Sequence, residues 1–236
     1  ACSSGMTLNP RMTAPEALVT WKGKSKEAVT EGLRALAVTL GDRRYLNYLD
    51  SFRYPLAGEC AMSTDVAETL RVPSDWGFEI GVLAEVYRHF PTSRVCQVDV
   101  ADSYDHKHRE LSADDPAHGL HRMSVDIARA IYRKLAIEGV VLSAEGFRSL
   151  EAAYDRTALD LIDRYEADAA FNAMAYDRHA EELAIEVFAH SIVRAGQEFL
   201  DDPLETPFIP SWTRIRSELP DLPSRLLEAV EADNLE

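Results

Sequence analysis

The sequence predicts an α/β fold: a small mixed part followed by a mainly helical region. Three observations predict it. A strand-like apolar run, Arg94–Val100, lies between helical patterns, with Cys96, Val98 and Val100 on one face. Beyond residue 119, three apolar stripes recur at helical spacing. The chain has 236 residues, 46% of them hydrophobic, enough for one substantial core or a core with a helical subdomain.

Taken in order, residues 1–23 are irregular, with Pro10, Pro15 and Gly23 as breakers. A helix is expected over Ser25–Leu40, carrying Val29, Leu33, Leu36 and Leu40 and closed by Gly41. Residues 43–62 are mixed and hold the turn-forming PLAG. Ser63 or Thr64 caps a short helix through Leu70. The next helix runs from Trp76 to Phe90, stops before Pro91, and buries Val82, Leu83, Val86 and Phe90. The strand follows, then a loop.

The first late stripe is Leu120, Met123, Ile127, Ile131 and Leu135. The second is Phe147, Leu150, Tyr154, Ala158, Leu161 and Tyr165. The third is Leu183, Val187, Ser191, Ala195 and Phe199, thickened by Phe188 and Ile192. Pro203, Pro207 and Pro210 break the pattern before a final helix over Ser224–Ala232. No internal repeat or low-complexity segment is evident.

The formal charge of -15 argues against a broad positive surface for nucleic acid or anionic membrane. No apolar run approaches the ~20 residues of a membrane span, and no signal-peptide pattern opens the chain. Three cysteines without a CxxC pair fit a reducing cytoplasm, with Cys96 a buried thiol of the strand. The opening ACSSGMT does not read as a natural start, and a fragment or processed form is expected.

Three stretches hold chemistry-bearing residues. The loop from Asp99 to Leu111 carries Asp102, Asp105, His106 and His108. Its histidines, two apart, share a side of an extended loop, and imidazole with carboxylates attracts a divalent cation. Spacing alone favours an exposed polar loop, and the pair is too sparse for a closed zinc site. In WGFEIG, Trp76–Gly81, Glu79 occupies a first helical turn, where the helix dipole favours an anion. Gly77 and Gly81 leave a flat strip for a ligand or another backbone. A helix-start glutamate in water fits Glu79 equally well. In RYPLAGE, Arg53–Glu59, Pro55 fixes φ and Gly58 permits a tight turn that presents backbone amides beside Glu59. The pattern alone favours an ordinary turn. His118, His121, His179 and His190 lack ligand spacing and read as structural or surface residues.

The order of PLAGE, then WGFEIGVL, then QVDV leading into DHKHREL resembles the glucosyl-3-phosphoglycerate synthases. Their relatives include mannosyl-3-phosphoglycerate, glucosylglycerate and mannosylglycerate synthases, all retaining glycosyltransferases of the GT-A fold. The resemblance covers about residues 53–111. It implies a partial GT-A domain over 1–118, its C-terminal half, and a helical subdomain over 119–236 that serves dimerisation. It implies transfer of glucose or mannose from a nucleotide-sugar to 3-phosphoglycerate, glycerate or a similar small hydroxy acid. By resemblance, His106 completes a divalent metal site, Mg²⁺ or Mn²⁺, that neutralises the leaving diphosphate. Glu79 matches a glutamate at the sugar and acceptor end of the cleft, where a carboxylate favours a cationic transition state. Pro55, Leu56, Ala57, Gly58 and Glu59 match a loop lining the donor sugar, and Gly77 lies in the segment that carries Glu79.

Two departures stand out. The DxD motif expected on an upstream strand is absent, so the nucleotide-binding half is missing and the chain alone is not expected to be active. His108 stands where some members have an asparagine, which bears on acceptor choice. A cytoplasmic homodimer is expected, with no nucleic acid partner. Two other readings remain open: a non-catalytic helical dimerisation or regulatory module, and a metal-dependent hydrolase built on Asp102, Asp105, His106 and His108.

Overall fold

The structure is a computed structural model that describes residues 24–56, 58–98, 119–204 and 208–234, without the side chains of 24–30. The described residues form helices joined by turns. They are α1 (Lys24–Leu40), α2 (Arg44–Asp50), α3 (Thr64–Thr69), α4 (Phe78–His89), α5 (Gly119–Ile137), α6 (Ala144–Phe171), α7 (Arg178–Asp201), α8 (Trp212–Glu218) and α9 (Leu222–Asp233). A single 3-10 turn, Thr92–Arg94, follows α4.

Helix boundaries have local causes. Gly41, at φ 77°, takes the left-handed position just past α1. The Ser143 hydroxyl accepts from Gly146 N at 3.1 Å and caps α6. The Asp177 carboxylate accepts from Ala180 N at 3.0 Å and caps α7. Past α5, Gly139 at φ 86° lets Val140 N reach back to Leu135 O at 3.0 Å. Past α6 the same device uses Ala173, at φ 53°, and Met174 N bonds Ala169 O at 2.8 Å. A residue with a Cβ pays roughly 1 kcal/mol for that conformation.

Helix α7 packs against both α5 and α6, and α1 lies on α6. Helix α4 rests on α5, and α2 bridges α1 and α4. Helix α8 lies beside α3 and α9. The tail is also tied to the α3 region by an isolated bridge, Val72 with Ile209, and by Arg216 on Glu68 at 2.7 Å. One apolar core crosses the line at residue 118. It joins Leu33, Leu36, Tyr45, Leu49 and Ile80 to Val125, Tyr132, Leu150, Tyr154, Phe188 and Phe199.

The late stripes are buried as expected, with two shifts. Ile162 takes the place of Leu161 and Tyr165 inside, and Leu183 is 42% exposed. Helix α4 is rotated from the expected face. Ile80, Gly81, Val82 and Glu85 are buried, while Leu83, Val86 and Phe90 are only half-buried. Its glycines cause the rotation. A Cβ on Gly81 would lie 2.1 Å from Pro73 Cδ, so the glycine face is the one that can close against protein.

The expected strand is not seen where it is described. Residues 92–94 form the 3-10 turn, and 95–98 have no ladder partner among the described residues, outside which 99–100 lie. Cys96, expected buried, is an exposed free thiol, with no strand beside it among the described residues. The α/β character expected from sequence therefore has no strand behind it among the described residues. No helix among them is long and apolar enough to cross a membrane.

Gly196 on α7 tests this packing. A Cβ there would lie 2.4 Å from Phe147 Cγ, whereas one on Gly32 of α1 meets nothing within 4 Å. Gly196→Ala is expected to lower stability by about 1–3 kcal/mol through overpacking. Gly32→Ala is expected to be neutral or to raise stability by up to about 1 kcal/mol. Urea unfolding of the two variants checks the contrast.

Candidate functional site

The turn after α2 begins with Ser51 Oγ bonded to Tyr48 O at 2.6 Å. Pro55 is buried and Leu56 half-buried, and both turn inward, while Gly58 and Glu59 are exposed. Gly58 N bonds Leu56 O at 3.1 Å, which closes the turn. Ala57 lies outside the described residues. Leu56 also lines an apolar cavity of about 70 Å³ with Leu36, Met123, Ile127, Tyr154 and Phe188.

The structure joins this turn to the segment that leads into Asp99. Gln97 does it with one side chain. Its Oε1 accepts from Arg53 N at 2.7 Å, and its Nε2 donates to Ser51 O at 2.8 Å. Two sequence motifs 44 residues apart are thereby adjacent. His106, His108, Asp102 and Asp105 lie beyond, outside the described residues. Among the described residues no group of three His, Cys, Asp or Glu side chains is arranged to hold a metal ion.

The helix that carries the third motif, α4, packs on α2, the helix that leads into this turn. Tyr87 of α4 packs on Tyr45 and Tyr48 of α2, with ring centroids 5.5 and 5.0 Å apart. Glu79, half-buried in the first turn of α4, lies two turns from Tyr87, ~12 Å along the axis. Gly77 is buried, and the open side of its strip is filled by protein. A Cβ there would lie 2.8 Å from Ala130 Cβ and 3.1 Å from Asp126 O, both on α5.

The start of α4, and hence Glu79, is held by carboxylates that sequence reasoning missed. Asp75 Oδ1 accepts from Gly77 N at 2.9 Å. Asp126 Oδ2 lies 3.5 Å from Trp76 N, and its Oδ1 pairs with Arg122 at 2.7 Å. Arg129 reaches Glu198 of α7 at 3.0 Å, and Arg194 reaches the same carboxylate at 3.0 Å. Burial pushes the Asp126 carboxyl up, the Arg122 guanidinium pulls against it, and Asp75 adds to the rise. The signal was the row Arg122, Asp126, Arg129, Arg133 at steps of four, three and four along α5, beside its apolar stripe.

His121, in the first turn of α5, is buried with neither ring nitrogen hydrogen-bonded among the described residues. Burial holds its pKa below the ordinary 6.5, and Arg194 and His190 add to the fall against Glu198.

The chain is 43% identical over 202 residues to a Persephonella marina protein named glucosyl-3-phosphoglycerate synthase, a match to 86% of this chain and 50% of the relative. It is 42% identical over 189 residues to a Methanococcoides burtonii protein of the same name, a match to 80% of this chain and 46% of the relative. The resemblance drawn from the three motifs is borne out by these two relatives. The chain spans about half the length of the curated relatives it matches. No protein-family model and no solved structure matches it.

Two outcomes follow from the buried charges. Asp126→Ala leaves the Arg122 and Arg129 guanidiniums short of a counter-charge and is expected to cost about 3 kcal/mol. Asp160→Ala, at the exposed Arg156–Asp160 pair, is expected to stay within about 0.5 kcal/mol. Urea midpoints compare the two. For His121, the folded pKa is depressed, so the unfolded chain takes up a proton first. The stability held above pH 6.5 is expected to fall as pH drops below it. In His121→Leu that part of the loss is expected to vanish, read as a smaller fall in melting temperature on acidification.

Proposed function

We propose, from the similarity of this chain to half of two proteins named glucosyl-3-phosphoglycerate synthase, that it is the acceptor-side, C-terminal half of a GT-A glucosyltransferase. The reaction proposed is retaining transfer of glucose from a nucleotide-glucose to 3-phosphoglycerate. The observation that carries it is the ordered set of PLAGE, WGFEIG and DHKH within a match covering most of the chain.

In this reading Pro55–Glu59 line the sugar, and Glu79 holds its hydroxyls while positive charge grows at the reacting carbon. Gly77 seats α4 on α5 and so sets where Glu79 points. His106 and His108 follow Gln97 by nine and eleven residues in the sequence. His106 is the proposed ligand to Mg²⁺ or Mn²⁺, a single nitrogen donor completing a shell that such hard ions otherwise draw from carboxylate and phosphate oxygens. When bound, the metal supplies Lewis-acid neutralisation of the departing diphosphate. The described residues do not form that site by themselves. His108 belongs to the acceptor side. Exposed free thiols at Cys60 and Cys96 fit a reducing, cytoplasmic setting. The proposal includes a homodimer through the helical region 119–236.

The test is a transfer assay with Mg²⁺ or Mn²⁺. Nucleotide-glucose and nucleotide-mannose are offered with 3-phosphoglycerate and with glycerate. The chain is assayed alone and mixed with the half of the Persephonella marina relative that it does not match. Expected is glucosyl transfer to 3-phosphoglycerate in the mixture, cut ~100-fold by Glu79→Gln. His106→Ala is expected to raise the metal concentration needed for half-activity. Transfer from no donor under any condition sinks the reading. Sedimentation of the same sample reads the dimer.

A further inference from the structure

Away from the motif segments, α1, α6 and α7 enclose a second cavity of about 50 Å³. Glu31 of α1 enters it with Tyr154 and Tyr165 of α6, Tyr176 of the connection, and Glu181 and Phe188 of α7. Glu31 is 2% exposed. Its Oε1 accepts from Arg34 Nη1 at 2.5 Å, while its Oε2 is buried without a hydrogen-bond partner among the described residues. A carboxylate oxygen out of water needs a donor, so this one asks for a guest.

The walls decide what kind. Tyrosine and phenylalanine rings attract a cation over their faces, and the carboxylate supplies its counter-charge. An alkali metal ion asks for a shell of oxygen ligands, and much of this lining is ring and aliphatic carbon, including Ala158, Ile162 and Ala184. The space holds a few waters or one small organic ion. Tyr165, Tyr176 and Glu181 are only partly buried, so the cavity has a way in.

We propose that this cavity binds a small primary alkylammonium ion, with Glu31 as its counter-ion and Tyr154, Tyr165 and Phe188 as its aromatic wall. The ammonium donates an N–H to Oε2 and lays its alkyl end on the rings. The site is independent of the glucosyl-transfer reading. Burial raises the Glu31 pKa, so occupancy by a cation is linked to proton loss. Among the described residues, the charged and titratable groups around it are Arg34 on its own helix, Asp50 of α2, Tyr154, Arg164 and Tyr165 of α6, Tyr176 of the connection and Glu181 of α7.

The test is thermal unfolding of the full chain in rising methylammonium chloride, against KCl and NaCl at equal ionic strength. Expected is a saturable rise in melting temperature with methylammonium alone. Glu31→Gln, isosteric and uncharged, is expected to abolish the rise, and Tyr165→Leu to weaken binding about tenfold. The rise is expected to shrink on acidification through the Glu31 titration. Equal shifts in the three salts, no shift in any, or undiminished methylammonium binding by Glu31→Gln overturns the proposal. Should Glu31→Gln fail to fold, the Tyr165→Leu titration decides: binding as tight as in the parent chain overturns it.

Discussion

Arg129 is 1% exposed, with its guanidinium 3.0 Å from Glu198 on α7 and 4.0 Å from Asp126 on its own helix. Removing such a charge from water is tolerable only where counter-charges meet it. Helices α5 and α7 must therefore keep the separation that holds Glu198 on Arg129, which Tyr132 reinforces by donating to Ile192 O at 3.2 Å. Asp126 must stay beside the same guanidinium, and Asp126 also sits at the backbone where α4 begins. The placement of Glu79 thus depends on a buried ion pair two helices away rather than on the apolar contacts of α4 alone.

The long helices were legible because each shows more than two turns of apolar recurrence and a recognisable stop, such as Gly41 after α1. Helices α2 and α8, each seven residues, were not. A stretch as short as RYLNYLD holds less than two full periods, and its aromatic residues suit strand and helix alike. The run VCQVDV alternates as a strand should, yet alternation cannot reveal whether a neighbour exists to pair with it. The face of α4 was misjudged for a related reason. Periodicity weighs side chains, whereas Gly77 and Gly81 decide the packing by lacking them.

The candidate site was legible as linear order and no further. Nothing in the sequence says that Gln97 bonds the turn at Ser51–Arg53, since an exposed glutamine carries no pattern. Nor does it say that the charges on α5 are buried, since arginine and aspartate at steps of three and four read as a solvated face. Helix α1 packs on α6 and α4 on α5, so among the described residues the turn at Leu56 and the helix that carries Glu79 pack on the same apolar core as the late helices.

The turn at Pro55–Glu59 has an asymmetric mechanical setting. The backbone leading into it is pinned at Ser51 and Arg53 by both arms of the Gln97 amide, while Leu56 borders open volume. A side chain with empty space behind it can be pushed inward without overlapping its neighbours, whereas a close-packed core resists. Leu56 is thus the residue of this turn with room beside it, while the backbone just before the turn is the part held in place.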